Sequence, residues 1–336
     1  MIREFIYPDL TLRNSFRVAQ KADRLLEFET ADDLRTIFER GISGPWYVLS
    51  GGNNILFTQD YHGTLLTPVS QGIRIVSETG DRVLVTADAG VEWDDLVEWA
   101  VEHELWGVEN LSLIPGKAGA APVQNISAYG CEAKDTIESV EMFCPETKNI
   151  LILSKDHCEF GYRDSIFKRM LKGRSIITSI RLQLSRRPMP RLDYGDVARK
   201  VEERGGVSLR NIRDAICEIR RTKLPDPAKT GNAGSFFKNP VVSRQEAERL
   251  LALHPDMPHY PAANPEQVKL AAGWLIDRAG LKGYTNGHVG VHARQALVLI
   301  NLGGATGNEV LAFAREVQQK VKETFGVENE PEVNVL

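Results

Sequence analysis

The chain has little of several things that would define a class. Only four of its 336 residues are cysteine, Cys131, Cys144, Cys158 and Cys217, and no two form a Cys-x-x-Cys pair. Their spacing offers no disulfide framework or zinc motif, so reduced thiols are expected. Neither sign of charge prevails: 41 Lys and Arg against 45 Asp and Glu leave a net charge of -4. That is too weak a field to gather nucleic acid, so an anionic ligand must be held by local groups. No stretch reaches the roughly 18 uncharged apolar residues of a spanning helix. Met1-Ile2-Arg3-Glu4-Phe5, with Asp9 close by, lacks the cationic start and unbroken apolar run of a secretory leader. A cytoplasmic protein without membrane insertion is expected. His288 and His292 stand four apart, but Gly287 and Gly290 oppose a helix that would align them, and no metal is expected.

What is present suits a folded, multi-lobed protein: 42% of residues are hydrophobic and 26% charged. Thr30 with Asp33 predicts a capped helix whose face is Leu34, Ile37 and Phe38 and which Gly41 stops. Trp46 to Leu49 reads as a strand, residues 73–77 and 83–87 as a hairpin, and 92–103 as a short helix. After a strand-like run over 175–184, three arginines and two prolines in Arg186-Arg187-Pro188-Met189-Pro190-Arg191 mark a domain boundary. Beyond it, Asn264-Pro265 with Gln267 predicts a capped helix closed by Gly280. Ala296 to Asn301 reads as a buried strand. Thr306 with Glu309 starts another helix, whose face is Val310, Phe313, Val317, the Lys320 stem and Phe325.

Four segments carry chemistry. Ser50-Gly51-Gly52-Asn53-Asn54 follows a strand, and its glycines permit close backbone approach to a ligand, though it reads equally as a tight turn. Ile114-Pro115-Gly116-Lys117-Ala118-Gly119-Ala120-Ala121, running on to Gln124-Asn125 and Ala128-Tyr129-Gly130, leaves room for a pyrophosphate or a flat ring. A close-packed Gly/Ala crossing is the plainer alternative. It is no Walker loop, because Leu111 replaces a required glycine and Ala118 the magnesium-binding hydroxyl. Gly161-Tyr162-Arg163-Asp164-Ser165 offers a cation that reads equally as a partner of Asp164. Gly231-Asn232-Ala233-Gly234-Ser235-Phe236-Phe237-Lys238-Asn239-Pro240 holds a hydroxyl in a constricted, apolar setting, where a plain turn serine is the alternative.

Together and in this order, with Glu330-Pro331-Glu332-Val333 at the end, these segments resemble the UDP-N-acetylenolpyruvoylglucosamine reductase family over about residues 14–336. The resemblance implies an α+β fold: a two-lobed FAD-binding domain of the p-cresol methylhydroxylase type over 1–188, with lobes at about 1–70 and 71–188. An α+β substrate-binding domain over 189–330 follows, and 331–336 returns to the active site. It implies a cell-wall oxidoreductase of peptidoglycan synthesis, and so a role in cell shape, division and cycle. FAD, bound noncovalently, would pass electrons from NADPH to the enolpyruvyl ether of a UDP-sugar. FAD would lie against Ser50, Gly51, Gly52, Asn53 and Asn54 and against Ile114, Pro115, Gly116, Gly119, Ala120, Gln124, Asn125, Ala128, Tyr129 and Gly130. The family more usually shows Gly-x-Gly-Ser-Asn, so Ser50 and Asn53 are departures.

Arg163, Ser235 and Glu332 match the family's catalytic residues, and Tyr129, Tyr194, Lys223 and Asn239 its substrate contacts. Tyr260 matches the tyrosine of a substrate-covering loop in one subclass. Hydride addition to the outer alkene carbon leaves enolate-like charge beside the carboxylate, which a permanent cation such as Arg163 suits. The neighbouring carbon then needs a proton, and the resemblance assigns its donation to Ser235. A monomer is expected. An oxidase of the same fold would instead consume oxygen without NADPH, and a UDP-sugar sensor would bind without turnover.

Overall fold

The computed structural model describes all 336 residues, which form two compact units. The first comprises Met1–Pro8, Ala22–Gly51 and His62–Thr222, and the second Asp9–Lys21, Gly52–Tyr61 and Lys223–Leu336.

Two larger sheets build the first unit. Arg3–Ile6, Ala22–Phe28, Tyr61–Pro68 and Trp46–Val48 lie side by side in that order. Against them packs α1, Ala31–Arg40, through Leu34 and Ile37. Its capping box joins Thr30 to Asp33 as expected, and Gly41, at φ 82°, ends it. The second sheet is antiparallel, in the order Asn149–Ser154, Ile137–Cys144, Ile176–Ser185, Arg82–Asp88, Ile73–Thr79. Helix α2, Trp93–Glu102, contributes Trp93, Leu96, Val97 and Ala100 to the core that also holds Val83, Val85 and Ala87 of this sheet.

The boundary expected at 188 is instead a link within the first unit. After the arginine and proline run, α3, Val197–Glu202, and α4, Leu209–Lys223, bury Val197, Val201, Ile212, Ile216 and Ile219 together with Val101 and Trp106. The composition change marks an exposed crossover. The apolar stripe of α4 keeps the chain with the first unit up to Thr222.

In the second unit, Gly231–Ser235, Val298–Asn301, Val289–Val291 and Thr285–Asn286 form one sheet. Val241–Ser243, Gln267–Leu270 and His259–Pro261 form another, in that order. Helix α5, Arg244–Leu253, packs through Ala247 and Leu250. The helix expected from Asn264 to Gly280 is absent over its first half. Asn264 makes only a local turn, accepting from Glu266 N–H, after which Gln267–Leu270 is the central strand of its sheet. Pairing on both sides outweighs the local capping signal, and α6 covers only Ala272–Arg278. The long α7, Gly307–Phe325, starts at the expected Thr306–Glu309 box. Its buried face runs Val310, Phe313, Ala314, Val317, Val321, Phe325, so Val321 takes the place expected for the exposed Lys320. Of the two positions that could follow Val317 on this face, three and four residues on, the apolar Val321 is the one buried.

Candidate active site

In the first unit the expected cofactor segment is held by left-handed backbone. Of nine non-glycine residues with positive φ, four are Leu113, Asn125, Tyr129 and Arg163, at 58°, 47°, 48° and 54°. Each costs an L-residue about 1–2 kcal/mol, so the surrounding bonds must fix them. Asn125 is buried and donates to Glu132 Oε2 at 2.7 Å and to Gly161 O at 3.0 Å, and it accepts from Lys134 N–H at 3.0 Å. It thereby ties its loop to the turn that carries Arg163. Ser165, also buried, donates to Val123 O at 2.6 Å and makes a second tie. Asp164 pairs with Arg169 and Glu159 with the same arginine, while Arg163 O accepts from Lys168 Nζ at 3.1 Å.

Tyr129 and Tyr194 meet edge to face, with ring centroids 5.9 Å apart. Burial pushes the Tyr129 phenol up, and Arg220 pulls it back. Arg220 is a cation that none of the four segments contains. Enclosure pulls its guanidinium below the usual arginine range, Tyr129 and Asp94 oppose that pull, and Arg163 adds to it. Arg163, Arg220 and Tyr129 therefore form one electrostatic group. The signal available in the sequence was the position of Arg220 on the apolar stripe of α4, one residue after the buried Ile219.

The glycine loop at 50–54 behaves differently from its expectation. A Cβ on Gly52, at φ 63°, would lie 2.1 Å from Arg13 O, so the chain itself fills the space left by that glycine. Likewise Gly119 lacks room because a Cβ there would come 2.6 Å from the Ala89 Cβ. Ser50, one of the departures, keeps a buried Oγ without a hydrogen-bond partner.

In the second unit Ser235 and Glu332 are brought together by main-chain pairing. Glu332 N–H donates to Phe236 O at 2.7 Å, Lys238 N–H to Glu330 O at 2.9 Å, and Phe237 bridges Pro331. Gly234, at φ 68°, sits in a register shift between Asn232 and Ser235, which re-aims the serine out of regular alternation. Phe236 and Phe237, both buried, anchor the following residues, each by roughly 1.5–3 kcal/mol. Glu332 is itself buried, and its carbonyl accepts from Asn54 Nδ2 at 3.3 Å. Asn239 spends its Oδ1 on Ala272 N–H at 3.0 Å, at the start of α6. Lys223 and Tyr260 are exposed in this unit, as Tyr194 is in the first. The site residues thus fall on both units: Arg163, Tyr129 and Tyr194 on the first, Ser235 and Glu332 on the second.

Comparison with known proteins bears on this geometry. Residues 226–336 match the family described as UDP-N-acetylenolpyruvoylglucosamine reductase, C-terminal domain, and residues 22–150 match an FAD binding domain. A UDP-N-acetylenolpyruvoylglucosamine reductase of Pseudomonas aeruginosa is 49% identical over 328 residues, covering 96% of each chain. One from Chromobacterium violaceum is 48% identical over 335 residues, covering 98% of this chain and 97% of its own. The chain belongs to the UDP-N-acetylenolpyruvoylglucosamine reductase family.

The solved reductase of Thermus caldophilus shares the fold at TM-score 0.69 and 23% identity, covering 100% of this chain and 98% of its own. Substrate-bound p-cresol methylhydroxylase aligns at TM-score 0.50 and 11% identity, over 96% of this chain and 84% of its own. The expected fold class, with its flavin domain and an α+β C-terminal domain, is therefore borne out. For a reductase of this family two local features fit a bound flavin dinucleotide. The Ser50 hydroxyl is buried with no chain acceptor, and Arg220 is an enclosed cation without an ion pair. Both call for polar or anionic groups from a ligand. No helix of the chain is long and apolar enough to cross a membrane.

Proposed function

We propose that this chain performs the reaction for which its relatives are named. It reduces the enolpyruvyl ether of UDP-N-acetylglucosamine to the lactyl ether of UDP-N-acetylmuramate, with NADPH as reductant, in cytoplasmic peptidoglycan synthesis, as a monomer. FAD, when bound, supplies two-electron transfer between the nicotinamide and the alkene. The residues of the chain bind, orient and move the proton. Residues 50–54 and 114–130 receive the cofactor, with Ser50 donating to it and Arg220 compensating its negative charge. Arg163 meets the substrate carboxylate, where a permanently charged planar fork gives two charge-assisted bonds and steadies the developing enolate. Ser235 donates the proton to the carbon beside that carboxylate, and Glu332 steadies the enolic oxygen. Tyr194, Lys223 and Asn239 contact the UDP moiety, and Tyr260 reaches the substrate from the covering loop of its subclass. Asn239 Oδ1 also accepts from Ala272 N–H at the start of α6.

The observation that carries this reading is the pairing of Phe236 with Glu332, which puts the segments of the two matched motifs, one with a hydroxyl and one with a carboxyl, side by side at an isolated bridge. The purified protein should be yellow, bleach with NADPH, and regain colour when the enolpyruvyl sugar is added without oxygen. Colour that returned only with oxygen would sink the reading in favour of an oxidase.

A further inference from the structure

Leu113 stands just before the cofactor segment in a left-handed conformation, and two helices grip it and its neighbours. The first two residues of α2 hold one side. Trp93 Nε1 donates to Leu111 O at 3.0 Å, Trp93 N–H donates to Gly116 O at 2.8 Å, and the Asp94 carboxylate accepts from Leu113 N–H. The other side is held by α4, which presents Arg213 and Arg220 two turns apart and so on one face. Arg213 meets Asp94 through two bonds, at 2.6 and 3.0 Å, and Arg220 Nε donates to Leu113 O at 3.1 Å. Leu113 is thus fixed at both its N–H and its C=O.

The Arg213 side chain is only 6% exposed. Burial pushes the Asp94 carboxyl up, but the bonds from Arg213 and Leu113 together hold it below the usual carboxylate range. Stability alone does not account for such a pair, since buried ion pairs are commonly replaceable by apolar residues without loss. Its geometry does more than link two helices. The same Leu113 that Asp94 orients accepts from Arg220 Nε, the hydrogen bond that aims this guanidinium. The turn therefore sets both where the Pro115-Gly116 backbone begins and how Arg220 is aimed.

We propose that Asp94 and Arg213 are positioning residues for the flavin. By clamping Leu113 they fix the entry of the cofactor loop and the direction in which Arg220 offers its guanidinium to the flavin's anionic part. This rests on the reading that residues 114–130 receive FAD. The test compares native protein with the double variant Asp94→Leu/Arg213→Met, the single variant Asp94→Asn, and Gly116→Val. Each is stripped of flavin and titrated with FAD, its bound flavin is recorded by visible circular dichroism, and its thermal unfolding is followed without flavin.

The double variant removes both charges, so it should melt within a few degrees of native protein yet bind FAD at least tenfold more weakly, with an altered dichroic spectrum. Asp94→Asn keeps an acceptor for Leu113 but breaks the charge pair, and should weaken binding severalfold with a similar spectral change. A folded double variant with native FAD affinity and spectrum would overturn the proposal. If the double variant does not fold, native values for Asp94→Asn overturn it. Should Gly116→Val leave FAD binding untouched, the loop assignment itself fails, whatever Asp94 does.

Discussion

The first unit positions its site residues by side chains and the second by main chain. Around 113–130 and 161–165, four residues hold left-handed backbone, and the bonds that fix them come from Asp94, Asn125, Ser165 and Arg220. Around 234–238 and 330–332, main-chain N–H to carbonyl bonds join the two segments, supplemented by side-chain bonds of Asn54 and Asn232, with two buried phenylalanines beneath. A loop needs many particular side chains to have one shape, whereas a paired strand inherits its shape from the ladder. Substitutions should therefore act on shape in the first region and on chemistry in the second.

The largest effect tests the second half of that contrast. Ser235→Ala should leave the Phe236–Glu332 pairing intact and NADPH reduction of the bound flavin near the native rate. Reoxidation by the enolpyruvyl sugar should slow by roughly 10²–10⁴-fold, the range for a lost general acid. Rapid-mixing absorbance separates the two half-reactions. Loss of both together would mean that the serine also holds structure.

A second comparison uses two left-handed glycines. Gly52→Ala would force a Cβ to 2.1 Å from Arg13 O, while Gly234→Ala would meet nothing within 4 Å. The first should cost about 3 kcal/mol or more, from overpacking added to left-handed strain, and the second only about 1–2 kcal/mol. Denaturant unfolding measures both, and equal losses would show that strain alone governs these turns.

The smallest effect concerns a side-chain tie in the second unit. Bonds from Thr306 N–H and Oγ1 and from His288 hold the exposed Glu309 carboxyl down at about 2. A depressed carboxylate contributes stability that is present above its unfolded value, near 4.5, and is lost as pH falls through about 2. Glu309→Gln should therefore be slightly less stable than native protein at neutral pH and converge with it in acid. A gap in unfolding midpoint that persisted at pH 2 would show that the cap works by shape rather than charge.

Legibility in the sequence follows the range of the interactions. The Thr30–Asp33 and Thr306–Glu309 boxes were readable because each partner lies three residues from the other. Asn264-Pro265-Glu266-Gln267 carried an equally local signal, yet the pairing of Gln267–Leu270 with strands on both sides overrode it. The unit boundary was unreadable from composition because residues 9–21 and 52–61 belong with 223–336 through pairings that no local pattern encodes. The matched motifs named the loops to expect at the site, but not why particular residues stand in them. Gly52 and Gly119 proved to make room for Arg13 and Ala89. Arg220 and Asp94 were hidden because their importance lies in what they face across two helices.

The short parallel ladder of Asn334–Val335 with Ile55–Leu56 joins positions about 280 residues apart in the chain. Contacts of such separation are the slowest to form, since the entropy of closing a long loop is lost before any contact rewards it. Ile55, Leu56 and Phe57, all buried in the finished unit, meet this partner only once two segments distant in the chain have come together. The second unit therefore closes on one of its least local contacts.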